Sequence, residues 1–243
     1  MTRPRVALRA LAAAAGVTVA VALAARPSPV NAWTPRVGYF TDGPAGWLAL
    51  HDGLVARSSR GGVGVVFLGD SYTEGWPADA WGRHFAPDGA ANYGIRGDGT
   101  AQVLWRIGHG EFDAVRPRAV VLMVGLNNAL LAGDSPGDAA RGLAAVLAAL
   151  RAKLPAAKVL LLAVLPVGDP GHPLRAWVAE YNAEVAPLAD GHAVRYLDAG
   201  PQFLRADGAL KEGLYAPDLI HLSDPAYDLL AAAIAPALAE ITR

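Results

Sequence analysis

The amino-acid sequence predicts an α/β domain wound around a parallel sheet. Short apolar runs rich in β-branched residues recur along the chain, each closed by Gly, Pro or Asp, as strands covered on both faces require. Longer stretches between them carry apolar residues three and four apart, the spacing of helices with one buried face. Regular alternation of the two kinds of segment marks βαβ units.

Taken in order, residues 26–46 contain Pro27, Pro29, Pro35 and Pro44 and read as an extended arm. A helix is predicted at Trp47–Ser58 and a strand at Val63–Leu68. A weaker strand ends at Asn92–Tyr93, followed by a helix at Thr100–Gly108 and a strand at Ala119–Val124. In the next helix, Asp138–Leu154, residues Leu143, Val146, Leu147 and Leu150 form one apolar face, Lys153 sits in the last turn and Pro155 stops it. A strand at Val159–Leu165, a helix at Leu174–Leu188, a strand at Ala193–Leu197 and a helix at Ala226–Glu240 complete the series, about five strands in all. Asp224 is expected to cap the last helix, with Pro225 at its first position. Sheets of this kind bind ligands outside the carboxyl ends of their strands, where the strand order reverses.

Composition narrows the function. A chain of 243 residues fits one domain with a short extension. Its net charge of −1, with no basic block beyond the N-terminus, excludes the footprint that nucleic acid needs. The absence of Cys excludes disulfides, thiolate metal sites and a thiol nucleophile. The six His show no close helical pair of the kind that builds a zinc site, so no metal is expected. At the N-terminus, Arg3, Arg5 and Arg9 precede an uncharged run, Ala10–Ala25, with small-residue exits at Ala22-Leu23-Ala24 and Val30-Asn31-Ala32. This describes a secretory signal peptide over residues 1–32. The run is shorter than the ~20 residues that span hydrocarbon; an uncleaved anchor formed by residues 10–25 is the alternative. The expected organisation is a leader (1–32), an arm with the first helix (33–60) and the main domain (61–243). Loss of the leader leaves 17 basic and 22 acidic side chains, a net −5, and an exported protein with no stable membrane span.

The predicted strand ends carry the chemistry. Gly69-Asp70-Ser71 follows the first strand, where Ser71 is placed either as an exposed nucleophile or simply as a helix cap. Asn92-Tyr93-Gly94-Ile95-Arg96-Gly97-Asp98-Gly99 follows the second, and Gly125-Leu126-Asn127-Asn128 the third. A backbone N–H or side-chain amide at such a position can stabilise a developing oxyanion. Asp218 and His221 share the loop before the last helix, so that a carboxylate can fix the imidazole tautomer. Each feature alone has a bland reading as loop structure. Together they supply nucleophile, base, orienting acid and oxyanion donors in the order of the sheet, which is the complete set for acyl transfer.

These blocks, with Val66-Phe67-Leu68 before Gly69, Thr73-Glu74-Gly75-Trp76, Val103-Leu104-Trp105-Arg106, Gly110-Glu111 and Leu161-Leu162-Ala163-Val164-Leu165-Pro166, resemble the SGNH/GDSL hydrolase superfamily. Within it they are most similar to the platelet-activating-factor acetylhydrolase-like group, over about Val63 to Leu238. The resemblance implies a flavodoxin-like three-layer sandwich. It implies Ser71 as nucleophile, His221 as general base and Asp218 as its partner, with an oxyanion hole from the N–H groups of Ser71 and Gly94 and the amide of Asn127. Leu126 and Arg96 depart from the group's pattern and are expected to contact substrate. The activity implied is hydrolysis of short-chain, chiefly acetyl, esters of a small molecule, lipid or glycan, without a cofactor. Transfer of the acyl group to a sugar hydroxyl, or glycan binding without catalysis, are the competing readings. Trp76, Trp81 and Trp105 are expected in the core, with a sugar-binding surface as the alternative.

Overall fold

The computed structural model describes residues 31–243. The expected leader and the alternative anchor at residues 10–25 lie outside the described residues, apart from Asn31 and Ala32. Five strands, β1 (Val65–Gly69), β2 (Ala90–Gly94), β3 (Ala119–Met123), β4 (Lys158–Leu162) and β5 (Val194–Leu197), form one parallel sheet in the order β2-β1-β3-β4-β5. Every residue of β1 and β3 is buried, which is why their sequences are continuous apolar runs. β2 lies at an edge and alternates buried with half-buried residues, hence its weaker signal.

The main helices are α1 (Gly43–Ser59), α4 (Thr100–Gly108), α5 (Pro136–Lys153), α6 (Pro173–Val185) and α7 (Asp224–Ile241). On one side α4, α5 and α6 pack in sequence; on the other, α7 packs on β3 and β4. The chain leaves β1 toward β2 and later returns to the other flank of β1 with β3, so the order reverses at β1 and opens a crevice at its carboxyl end. In α5 the Ser135 side chain accepts the Asp138 N–H at 3.1 Å, and Leu143, Val146, Leu147 and Leu150 are buried as their spacing requires.

Several boundaries differ from expectation for local reasons. Ser223, not Asp224, occupies the cap position of α7, and Asp224 is its first residue. α6 ends at Val185, and residues 186–188 form a 3₁₀ turn because Pro187 has no N–H to continue the helix. β4 ends at Leu162; beyond it the Asn182 side chain takes the place of a neighbouring strand, accepting the Val164 N–H at 3.0 Å and donating to the Val164 carbonyl at 2.8 Å. Two short helices, α2 (Ser71–Glu74) and α3 (Ala78–His84), and a single π-helical turn (Asn128–Ala132) carry too few residues to show periodicity.

The arm is part of the fold. Ala32, expected as the last residue of the leader, is fully buried, and its carbonyl accepts the Thr100 hydroxyl at 2.9 Å. The Arg36 N–H donates to the Ala101 carbonyl at 3.2 Å. No helix of the described residues is long and apolar enough to cross a membrane.

Candidate active site

β1 delivers Ser71 to the crevice. Gly69 closes the strand where a Cβ would fall 2.3 Å from the Met123 carbonyl and 2.4 Å from the Thr73 hydroxyl, so no larger residue fits. The buried Asp70 carboxylate accepts the Tyr72 N–H at 3.0 Å and starts α2 at the next residue. Ser71 is thereby the first residue of a helix, a position whose N–H has no partner within the helix. Burial pushes the Asp70 carboxyl up to about 7, against the opposing effect of the Tyr72 N–H.

The loop before α7 brings the other two groups. Asp218 Oδ1 accepts the N–H groups of Ile220 and His221, both at 3.0 Å, and Oδ2 lies 2.6 Å from His221 Nδ1. His221 Nε2 in turn lies 3.2 Å from Ser71 Oγ. Leu219, between the acid and the imidazole, has a left-handed backbone (φ 55°), which folds the loop back on itself. The Tyr72 hydroxyl pins that loop by donating to the Ile220 carbonyl at 2.6 Å. Burial pushes the Asp218 carboxyl up, but the hydrogen bonds from the His221 ring and the two N–H groups outweigh it and hold the acid below its ordinary value. An ionised Asp218 beside Nδ1 favours the tautomer that carries its proton there, which leaves Nε2 as an acceptor toward Ser71.

The expected oxyanion donors differ in placement. Asn127 stands at the pocket wall beside Ser71, and its Nδ2 donates to the Asp98 carbonyl at 3.0 Å and to Asp70 Oδ2 at 3.5 Å. The Gly94 N–H is already committed: it donates to Asn92 Oδ1 at 2.8 Å, inside the end of β2. Gly94 is glycine for a different reason, since a Cβ there would fall 2.1 Å from the Glu74 nitrogen where α2 crosses it. Gly97, three residues on, lines the pocket with Ser71, and its N–H donates to no group among the described residues. Nothing in the sequence separates Gly97 from Gly94: the difference lies in the hydrogen bond that Asn92 makes and in the crossing of α2.

A buried ion cluster supports this turn. Arg106, fully buried on α4, donates to Asp98 Oδ2 at 2.8 Å, to Glu111 Oε2 at 2.9 Å and to the Tyr93 carbonyl at 2.5 Å. Asp98 also accepts the Trp47 indole N–H at 2.6 Å. Burial pushes Asp98 up to about 7 and raises Glu111, with Arg106 opposing both. The same residue, Asp98, follows Gly97 and holds Asn127 by its carbonyl, so the cluster and the donors are mechanically one unit. None of Asp98, Arg106 and Glu111 was singled out from sequence as a group, because their proximity exists only in three dimensions.

Ser71 and His221 open onto a pocket of about 400 Å³ with largely apolar walls. Leu126 is buried in its wall. Arg96 lies on its rim, paired with Glu74 at 2.7 Å. Phe40, from the arm, forms a further wall that sequence reasoning missed. Trp76 and Trp81 pack with Phe67 and Phe85 in the core, and Trp105 stacks on His109; none of the three lines this pocket. A separate cavity of about 460 Å³ between α6 and the ends of β4 and β5 contains none of these residues.

A hydroxyl facing an imidazole, itself held by a carboxylate, is equipped to transfer an acyl group. Fold and site together define a carboxylic ester hydrolase built on a three-layer α/β sandwich. The family model described as GDSL-like lipase/acylhydrolase matches residues 67–229. The chain is 35% identical over 207 residues to platelet-activating factor acetylhydrolase IB subunit alpha1 of Homo sapiens, covering 84% of each chain. It is 33% identical to the platelet-activating factor acetylhydrolase IB subunit beta homolog of Drosophila melanogaster, covering 78% of this chain and 87% of the relative. Among solved structures, a GDSL-like lipase from Bacteroides thetaiotaomicron superposes with a TM-score of 0.63 at 20% identity, covering 80% of this chain and 96% of that one. A carbohydrate esterase family 3 protein from Talaromyces cellulolyticus does so with a TM-score of 0.57 at 17% identity, covering 74% and 98%. These two superpositions establish the shared fold. The chain belongs to the GDSL-like lipase/acylhydrolase family.

Proposed function

We propose that the protein hydrolyses short-chain esters, acetyl esters first, through an acyl-serine intermediate on Ser71. The observation that carries this is the relay of hydrogen bonds from Ser71 Oγ through His221 to Asp218, at 3.2 and 2.6 Å. His221 Nε2 takes the hydroxyl proton as Oγ bonds to the ester carbonyl carbon, and the negative charge collects on the carbonyl oxygen. The N–H groups of Ser71 and Gly97 and the Asn127 amide receive that charge; the Asn127 amide turns to it from the Asp98 carbonyl, and Gly94 remains the donor that the family resemblance implies, its N–H held here by Asn92 Oδ1. Collapse of the tetrahedral species breaks the bond to the alcohol oxygen, which leaves with the proton from His221 Nε2. Water, deprotonated by the same nitrogen, attacks the acyl-serine, and the acid departs as Ser71 regains its proton. The acetyl preference is supported by the two relatives, both named as acetylhydrolases. The protein is exported in this reading, with cleavage at Ala22-Leu23-Ala24 because Ala32 is built into the fold.

The test is kcat/KM of the purified protein and its Ser71→Ala variant on p-nitrophenyl esters from two to twelve carbons. Activity falling with chain length, and a loss of ~10⁴-fold or more in the variant, is the expected result. A variant within tenfold of the parent removes Ser71 as the nucleophile.

A further inference from the structure

We infer that Phe40, carried to the site by the arm, forms the wall that receives the acyl chain of the substrate and sets how well chains longer than acetyl are used. The inference rests on the esterase reading above and adds to it a residue outside the stretch matched by the family model, which begins at residue 67. Phe40 lines the same pocket as Ser71 and His221, and the residue is 54% exposed, so apolar surface is left uncovered at a wall of that pocket.

Its seat is built. Gly97 has a left-handed backbone (φ +79°), and a Cβ placed there would fall 2.4 Å from Phe40 Cβ and 2.5 Å from Phe40 Cγ. The root of the Phe40 ring therefore rests on the bare α-carbon of the residue proposed as an oxyanion donor. The arm is anchored just before this contact. Arg36 is bonded to α4 through the Ala101 carbonyl, and Gly38 lies against the Trp47 indole, where a Cβ would fall 2.3 Å from Nε1. That indole holds Asp98, the residue after Gly97, at 2.6 Å. Phe40 is presented by a segment fixed to the oxyanion turn, and the pocket it lines is also lined by Leu126, Leu130 and Leu131.

The reaction dictates which part of the substrate meets this wall. The alcohol oxygen must face His221 Nε2 to be protonated as it leaves, so the alcohol portion departs along the side formed by His221 and Ile220. The carbonyl oxygen faces Gly97 and Asn127. The third substituent of the carbonyl carbon, the acyl chain, is left to run between Phe40 and the leucines. An acetyl methyl reaches little of this surface; a hexanoyl chain reaches the ring. Hydrophobic contact of this extent changes specificity by tens of fold.

The experiment measures kcat/KM for p-nitrophenyl acetate and hexanoate in the parent, Phe40→Ala, Phe40→Leu and, as a control at an exposed arm residue away from the pocket wall, Thr34→Ala. The expected result is a fall of about 10-fold in the hexanoate-to-acetate ratio for Phe40→Ala, with acetate itself changed less than threefold. Phe40→Leu retains most of the ratio and Thr34→Ala all of it. A ratio unchanged in Phe40→Ala, or both esters falling together in Phe40→Ala and Phe40→Leu alike, overturns the inference and leaves the arm a structural element only. A parent inert toward both esters, or a Ser71→Ala variant as active as the parent, brings down the esterase reading and the inference with it.

Discussion

Replacing Arg106 by Met tests whether the buried ion cluster holds the site together. Met keeps the linear stem of the side chain and deletes the charge. It leaves two buried carboxylates, Asp98 and Glu111, without their cation, and Glu111 Oε1 already has no hydrogen-bond partner among the described residues. It also removes the donor to the Tyr93 carbonyl. Breaking a buried pair from one side costs about 3–5 kcal/mol, a large part of the ~5–15 kcal/mol that keeps a domain folded. The sign of the pH dependence follows from the carboxylates. Both are raised by burial in the native protein, Asp98 to about 7, with Arg106 opposing the rise. Loss of Arg106 raises them further. A group that binds its proton more tightly when folded adds stability at low pH and loses it as pH climbs toward its folded value. The deficit of the variant is therefore greatest near pH 8 and shrinks toward pH 5. Urea unfolding followed by circular dichroism and tryptophan fluorescence at the two pH values measures it, and the further changes Asp98→Asn and Glu111→Gln in the Met background should restore most of the loss at pH 8. A deficit under ~1 kcal/mol at pH 8, or one that widens on acidification, refutes the reasoning.

Asn127→Ala should lower kcat by about 10²–10³-fold with KM nearly unchanged, since the amide is proposed to act on charge present only in the transition state; steady-state kinetics on p-nitrophenyl acetate decide it, and a rise in KM at constant kcat counts against the role. The mass of the protein recovered from a secreting host should correspond to a chain beginning at Ala25, whereas a chain beginning at Trp33 contradicts the placement of Ala32 in the fold.

The sequence by itself determined the layered architecture, because β1 and β3 are covered on both faces and only continuous apolar runs tolerate that. It determined the order of chemistry along the chain too: Ser71 after a buried strand, Asn127 after another, Asp218 and His221 sharing one loop. These are local facts, legible from spacing and residue type. Tertiary structure alone decided which amide N–H is open to the pocket, since Gly94 and Gly97 look equivalent until Asn92 is seen bonded to the first and α2 crossing over it. It decided that Arg106, Asp98 and Glu111 form one cluster, and that Phe40, about thirty residues before the nucleophile, stands beside it. Hydrogen bonds already made, close approaches of backbone and contacts between distant segments leave no period or motif in the chain; they exist only once the sheet has brought its strand ends to a common edge.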